Sequence, residues 1–398
     1  MPTYHFNWNE VLRIMDNRQK HILIVISSFR WGGINRSLQS WLKMIDPADY
    51  DVDLFVMVHS GNYDGAFTHC RLLPSDKRLE AFIDQSPLRH GVAKIRSLSL
   101  KVINRISKGR FQHHVYKKVG NNLIDKIRYD AVIAWGEGVP TIFTSHIVHP
   151  NKIAWIHCDY TNYTNGPTER NIYGKFKSIV CVSKYTRKTF LSYYPEMEHK
   201  VHTIYNILDV EEIRQKAMEP MDIEYDKTKF NIVSVGRVSH VKRFSAIPAI
   251  AKKLVDAGCD FMWYIVGPYS IDNEYDKIVS YTKEFGLEDK VVLLGGKTNP
   301  YPYIANANLH VCTSQSESWS YTVNEANVLG IPSVSADFGA IYESIQGDAT
   351  RVVSSIGSLD RLIRDIIMHR EMYNMLLISI KGFTYFNDSI LSKINKLV

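Results

Sequence analysis

Two glutamates, Glu317 and Glu325, stand eight positions apart in the stretch TSQSESWSYTVNEANVLGIPSVSADFG, residues 313–339. Carboxylates accept hydrogen bonds from hydroxyls, so such a pair can grip a ligand that carries hydroxyls at both ends. An apolar strand ends at Leu309-His-Val-Cys312, and a polar loop then carries Glu317. Apolar positions at Tyr321, Val323, Ala326, Val328 and Leu329 predict a helix containing Glu325, stopped by Gly330-Ile-Pro332 and followed by the short strand Ser333-Val-Ser335. Eight helical residues span about 12 Å. The unbonded N–H groups where the helix starts, near Ser318, Trp319, Ser320 and Tyr321, suit an anion lying between the two carboxylates. A nucleotide-sugar has this layout: sugar, diphosphate, ribose.

Upstream, the strand Asn231–Val235 runs into Gly236-Arg237-Val-Ser-His-Val-Lys242-Arg243, from which a helix is expected to open through Ile247, Ile250, Ala251 and Leu254. A guanidinium fork, an ammonium and a helix N-terminus together form a phosphate clamp. The strand Phe261–Val266 ends in a second glycine turn, Gly267-Pro268.

The first half repeats the strand–turn–helix logic. His21–Ser27 is an apolar strand suited to a parallel sheet covered on both faces, and it leads into Gly32-Gly33 and a helix. A Gly-Gly turn lets the backbone approach a ligand. The dinucleotide fingerprint G-x-G-x-x-G is absent. Tyr129–Trp135 is another strand, with Gly136-Glu137-Gly138 at its carboxyl end. Lys152–Ile156 precedes His157-Cys-Asp159-Tyr160, which reads as a cleft loop, with Glu137 and Asp159 as acceptor-side candidates. Asp51-Val-Asp53 imitates a D-x-D metal motif, but at a strand entry it reads as structural.

The Glu317–Glu325 spacing, the Gly-Ile-Pro-Ser-Val-Ser-Ala-Asp-Phe-Gly continuation with Glu343, and the G-R-x4-K turn resemble retaining glycosyltransferases of the GT4 type. The likeness extends in texture to bacterial enzymes of capsule, exopolysaccharide and O-antigen assembly. It covers about residues 20 to 350 and is specific over 231–343. Ala340 departs from the pattern, standing where many members have a second glycine. The resemblance implies an α/β GT-B fold, two Rossmann-like domains facing across a cleft, with a C-terminal helix crossing back. The domains expected are 1–206 with about 383–398 (acceptor side), and 207–382 (donor side).

It further implies sugar transfer from a nucleoside-diphosphate sugar, UDP-linked, to a glycan or polyprenyl-linked acceptor, with retention. Arg237, Lys242, Glu317 and His157 would be catalytic. Gly32, Gly33, Gly236, Gly267, Ser318, Trp319, Ser320, Tyr321 and Glu325 would bind the donor, Glu325 through the ribose diol. No metal and no cofactor is implied. Two alternatives stay open: a non-catalytic partner on the same fold, and a phosphorylase-type enzyme, which would need a pyridoxal lysine.

At 398 residues with 22% charged and 45% hydrophobic residues, the chain suits two soluble domains. No apolar run is long enough to span a bilayer, the N-terminus does not read as a secretion signal, and five scattered cysteines read as reduced thiols. A cytoplasmic setting is expected. The net charge of +7 is unevenly shared: residues 1–200 hold 28 Lys and Arg against 17 Asp and Glu. Most of the excess lies in 89–128. There Lys94, Lys101, Arg105 and Lys108 flank an apolar stripe of Ile95, Leu98, Val102 and Ile106. Such a helix either packs on its own domain with a solvated basic face or lies on an anionic membrane surface. A nucleic-acid partner is not expected, since no aromatic platform interleaves the charges.

Overall fold

The computed structural model describes residues 18–29, 32–58, 67–83, 92–107, 109–163, 169–270 and 272–398, without the side chains of 81, 82 and 92–97. Lys108 and the side chain of Lys94 lie outside the described residues. The chain forms two compact units: Met1–Val182 with Arg187–Ile207 and Asp388–Val398, and Ser183–Thr186 with Leu208–Asn387.

In the first unit the apolar runs become β1 (Lys20–Ser28), β2 (Tyr50–Val58), β3 (Arg71–Leu73), β4 (Ala131–Trp135), β5 (Lys152–Ile156), β6 (Ser178–Cys181) and β7 (Val201–Thr203). They lie in the order β3-β2-β1-β4-β5-β6-β7, parallel throughout. Ile22–Ile26 and Ala131–Trp135 are buried along their whole length, as strands of a doubly covered sheet must be. Helices α1 (Gly33–Met44), α2 (Val92–Ile106), α3 (Arg110–Ile124) and α4 (Val139–Thr144) belong to this unit.

Edge strand β3 was not legible as a strand. Arg71 ties it to β2 with two bonds of 2.7 Å to Asp53, and Tyr129 donates to the same carboxylate at 2.5 Å. Burial works to raise the Asp53 pKa, but the bonds from Arg71 and Tyr129 outweigh it and hold it below the usual value. Asp53 of the D-x-D look-alike is thus engaged in holding the sheet edge.

The second unit contains β8 (Phe230–Val235), β9 (Phe261–Val266), β10 (Val291–Gly295), β11 (Leu309–Cys312), β12 (Ser333–Ala336) and β13 (Val352–Val353), all parallel, in the order β10-β9-β8-β11-β12-β13. Ile232, Phe261, Trp263, Leu309 and Val334 lie in its core. Segment 209–229 opens with α5 (Val210–Ala217). Asp209 caps it, accepting from the Glu212 N–H at 3.0 Å. The signal was present: Asp209 three residues before Glu212, with Arg214 and Lys216 in the last turn. Further on come α6 (Ile247–Asp256), α7 (Tyr321–Val328) and α8 (Asn387–Leu397).

The chain leaves the first unit after Ile207 and returns to it after Asn387. The Asn387 amide fastens that return point, accepting from the Leu208 N–H at 3.3 Å and donating to its carbonyl at 2.7 Å. Within the first unit, Lys20 donates to the Asn395 carbonyl and Asn151 to that of Leu397, holding α8 in place.

Each sheet reverses its strand order once, between β1 and β4 and between β8 and β11. Ligands of open α/β sheets sit beyond the carboxyl ends of the strands at such a reversal. The loops leaving those four strands carry most of the chemistry-bearing residues, while His157 and Asp159 follow β5 and Gly267 follows β9.

Candidate active site

The second unit brings its two motifs together at the β8/β11 reversal. Lys242, on the loop after β8, donates to Glu317, on the loop after β11, at 2.8 Å. Both are largely sheltered, with side chains 22% and 10% exposed. Burial opposes the Lys242 charge, but Glu317 beside it and Glu325 nearby overrule burial and raise its pKa above the ordinary lysine value. The Ser314 hydroxyl also donates to Glu317. Lysine has three donors, so one bond to Glu317 leaves the ammonium able to meet an oxyanion as well.

The two loops are laced by bonds that no local pattern predicts. Arg243 donates to the Thr313 carbonyl at 2.9 Å and the Ser314 carbonyl at 2.7 Å, and the Thr313 hydroxyl donates to the Lys242 carbonyl at 2.6 Å. The Gln315 N–H donates to the Val241 carbonyl at 2.8 Å. Sequence reasoning missed Arg243, Thr313 and Ser314, although Arg243 stands beside Lys242 and the other two open the glutamate stretch. The helix expected through Ile247, Ile250, Ala251 and Leu254 is α6, and two short 3-10 turns, His240–Lys242 and Phe244–Ala246, separate it from Arg237. Arg243 at φ 51 breaks the path, and Pro248 is placed in the first turn of α6, where its missing N–H costs no bond. Arg237 is exposed on the first part of this loop.

Gly236 and Gly267 meet at the ends of β8 and β9. At φ 156, a Cβ on Gly267 would lie 1.8 Å from the Gly236 carbonyl oxygen. Only glycine fits there, so this pair has a packing reason whatever it binds. Helix α7 starts at Tyr321 with Ser320 as its cap residue. Trp319, Ser320, Tyr321 and Glu325 are buried and Ser318 half-buried, so the carboxylate of Glu325 sits in the interior of the unit. Ala340 adopts an ordinary helical conformation (φ −69, ψ −11) and is fully buried, so the departure from glycine introduces no backbone strain.

The first unit places a different set at its β1/β4 reversal. Gly32 is extended (φ 169), nothing among the described residues lies within 4 Å of where its Cβ would stand, and Gly33 begins α1. The backbone conformation demands glycine at neither position, and residues 30 and 31 of the expected turn lie outside the described residues. Gly136 (φ 125) and Gly138 (φ 71) do need it, and they hold Glu137 between them. Glu137 accepts the His157 N–H at 2.8 Å, and burial pushes its carboxyl above the usual range. His157 is buried next to Trp135, and burial drives its pKa down to about 3, so its imidazole is neutral. Asp159 was read as a cleft residue. Its carboxylate instead caps the turn Tyr160–Asn162, accepting from the Thr161 N–H at 3.0 Å and hydroxyl at 2.7 Å.

All five cysteines are free thiols, three of them buried. Among the described residues no group of three or more His, Cys, Asp or Glu converges as a metal site.

Fold and crevice together define a two-unit α/β protein of the GT-B class. Residues 216–376 match the family model Glycosyl transferases group 1, and residues 31–212 match Glycosyltransferase Family 4. The chain thus belongs to the glycosyltransferases built from these two domains. It is 26% identical over 241 residues to the N-acetylgalactosamine-N,N'-diacetylbacillosaminyl-diphospho-undecaprenol 4-alpha-N-acetylgalactosaminyltransferase of Campylobacter jejuni, covering 58% of this chain and 63% of that one. To the N-acetyl-alpha-D-glucosaminyl L-malate synthase of Bacillus anthracis it is 25% identical, covering 43% and 46%. The matches therefore span less than two thirds of these curated relatives. The crystal structure of Anabaena Alr3699/HepE in complex with UDP superposes with a TM-score of 0.68 at 14% identity, covering 95% of this chain and 99% of that one, which establishes the likeness of fold.

Proposed function

We propose that this protein transfers a sugar from a nucleoside-diphosphate sugar, UDP-linked, to a glycan or polyprenyl-linked acceptor, with retention at the anomeric carbon, in cell-surface polysaccharide assembly. The observation that carries the reading is the Lys242–Glu317 pair at the β8/β11 reversal, with Arg237 exposed on the same loop. Departure of a nucleoside diphosphate concentrates negative charge at its phosphates. Fixed cations stabilise that charge without reorganising, so Arg237 and Lys242 take this role and no metal is needed. Glu317 accepts donor-sugar hydroxyls while holding Lys242 in place, and Glu325 accepts the ribose diol. Ser318 to Tyr321 offer main-chain N–H groups to the diphosphate. In the first unit, Gly32, Gly33, Glu137 and the neutral His157 offer polar groups to sugar. Support for the donor comes from the UDP bound in the Anabaena structure, and for a lipid-linked acceptor from the diphospho-undecaprenol in the Campylobacter enzyme's name.

The test is a thermal-shift and calorimetric panel of nucleotides. UDP should stabilise the protein, and the Glu325→Gln variant should bind it about 1–3 kcal/mol more weakly, since hydrogen bonds to a charged group carry that much. A 2′-deoxy analogue should bind the native protein poorly. Equal binding of the ribose and deoxyribose forms would remove Glu325 from this role, and no response to any nucleotide would overturn the donor reading.

A peripheral, cytoplasmic-face membrane location fits the same reading. On α2, Leu98 (55% exposed), Val102 (54%) and Ile106 (77%) recur every four residues, and Lys101 and Arg105 are exposed as well. The exposure of these three side chains supports the membrane-facing fate of the stripe. No helix among the described residues is long and apolar enough to cross a membrane. Co-sedimentation should show binding to anionic vesicles only, weakening as the Debye length falls from about 10 Å at 0.1 M salt to about 3 Å at 1 M. A Lys101→Glu/Arg105→Glu variant should lose it. Absence of binding at low salt would leave the basic face merely solvated.

A further inference from the structure

The strongest cationic cluster outside the candidate active site lines an open cleft of about 630 Å³ in the first unit. His113 and Lys117 come from α3, His146 and His149 from the segment after α4, Lys152 from the first position of β5, and Lys175 from the turn before β6. Among the described residues no acidic side chain lines it. Lys152 and His157 stand at opposite ends of β5, roughly 16 Å apart at about 3.3 Å per residue, so the cleft opens at the other edge of the sheet from the Glu137–His157 loops.

The hydrogen bonds fix how these groups face the cleft. The Lys152 ammonium is buried and donates to the Ile147 carbonyl at 2.9 Å and the Ser145 carbonyl at 3.3 Å, so two of its three donors are engaged. His146 Nδ1 lies 2.7 Å from the Ile142 carbonyl, which can only accept, so Nδ1 carries the proton. In the neutral ring His146 Nε2 is therefore the acceptor, and His113 Nδ1, 2.7 Å away, donates to it. That chain leaves the outer nitrogen of a neutral His113 as an acceptor, so exposed Lys117 and Lys175 are the groups able to donate to an anion. The cost of gathering the charges is visible. Burial and neighbouring Lys175 bring Lys152 down to about 8, and burial, His113 and the two lysines depress His146.

Cations crowded in a recess without a counter-charge call for an anion with several acceptor oxygens. We propose that this cleft binds a phosphoryl anion, a phosphate monoester or diphosphate, through Lys117 and Lys175, with the buried Lys152 ammonium adding its charge beneath them and the His113–His146 pair alongside. Either a free phosphate compound or a phosphate borne on a lipid headgroup supplies that chemistry.

The probe is inorganic pyrophosphate, titrated calorimetrically at low salt with UDP present in excess to occupy the donor crevice, and followed in parallel by the ring-proton NMR signals of His113 and His146. Failure of UDP itself to bind would count against the donor reading alone, because the pyrophosphate response is read at these two rings. Native protein should bind pyrophosphate with movement of both signals. A Lys117→Gln/Lys175→Gln variant, altered only at exposed positions and checked for an unchanged melting temperature, should bind at least about tenfold more weakly. The second arm uses phosphatidylcholine vesicles with and without phosphatidic acid. Loss of phosphatidic-acid binding in the same variant, with Lys101 and Arg105 intact, assigns the site to a lipid phosphate. Binding of pyrophosphate with vesicle binding unaltered by the substitutions assigns it to a soluble anion. Pyrophosphate affinity equal in native and variant protein, or unmoved histidine signals, overturns the proposal.

Discussion

The two sheet reversals solve the placement of polar groups in opposite ways. At β8/β11 the groups are charged and mutually bonded, with a lysine, a glutamate and an arginine lacing two loops. At the ends of β4 and neighbouring β5 the titratable groups are driven toward neutrality, with His157 at about 3 and Glu137 pushed upward by burial. Fixed charge suits an anionic ligand, whereas neutral donors and acceptors suit hydroxyls. The glycines divide the same way. Gly267 is required by contact, and Gly32 is not.

The comparison breaks most violently at Gly267. An added methyl would collide with the Gly236 carbonyl, and the backbone at φ 156 strains any other residue. Gly267→Ala should lower stability on the order of 3–5 kcal/mol, as read by urea unfolding. A loss under 1 kcal/mol would show that the β8 and β9 ends separate easily.

Charge at the second reversal is the next largest lever. Arg237→Ala, at an exposed position, should leave the fold unchanged yet cut donor turnover roughly 10²–10³-fold, the size typical of losing one preorganised donor. Lys242→Met should cut turnover as much and also cost stability, because Glu317 is left sheltered without its cation. If Arg237→Ala turns over normally, the phosphate clamp is misassigned.

How much of this was legible follows from the range of each interaction. The strands and α7 were readable because apolar runs and helical spacing are local signals. The Glu317–Glu325 pair was readable because it lies within one loop and one helix. The Lys242–Glu317 bond joins residues 75 positions apart, and its partners Thr313, Ser314 and Arg243 are held by equally distant contacts, so no window along the chain contains it. The same non-local lacing accompanies the two 3-10 turns that separate Arg237 from α6. The cationic cleft draws on residues from 113 to 175 and leaves no spacing to detect. Helix α5, by contrast, was legible through the Asp209 cap and was missed because its outer face is charged.

Acid should treat the two units alike, which sharpens the contrast by removing one explanation for it. His157 in the first unit and His310 in the second are both buried and held at about 3, by burial in each case, with Lys242 and Arg351 adding to the effect at His310. Unfolded histidine takes up a proton near pH 6.5 and the folded ring does not. Stability is therefore intact above about pH 6.5 and lost as pH falls toward 3, by up to about 1.4 kcal/mol per pH unit for each ring. His310→Gln should flatten the acid limb of the stability curve measured between pH 7 and 4.5. An unchanged limb would mean that His310 gains its proton while still folded.

The smallest structural effect belongs to Gly32, and for that reason it is the cleanest probe of the first unit. Its φ of 169 is extended backbone that any residue adopts, and nothing within 4 Å opposes a methyl. Gly32→Ala should change stability by no more than about 0.5 kcal/mol, as surface substitutions without a special conformation do. Any functional consequence must then come from the space the methyl occupies. If a donor or acceptor group passes close to this backbone, KM for that substrate should rise several-fold with the melting temperature unmoved. The matching Gly33→Ala change, at the first position of α1, gains helix propensity by about 1 kcal/mol and so serves as the control for conformational effects. A Gly32→Ala protein with unaltered kinetics would mean that no ligand approaches the first reversal through this glycine, leaving Glu137 and His157 as its polar groups.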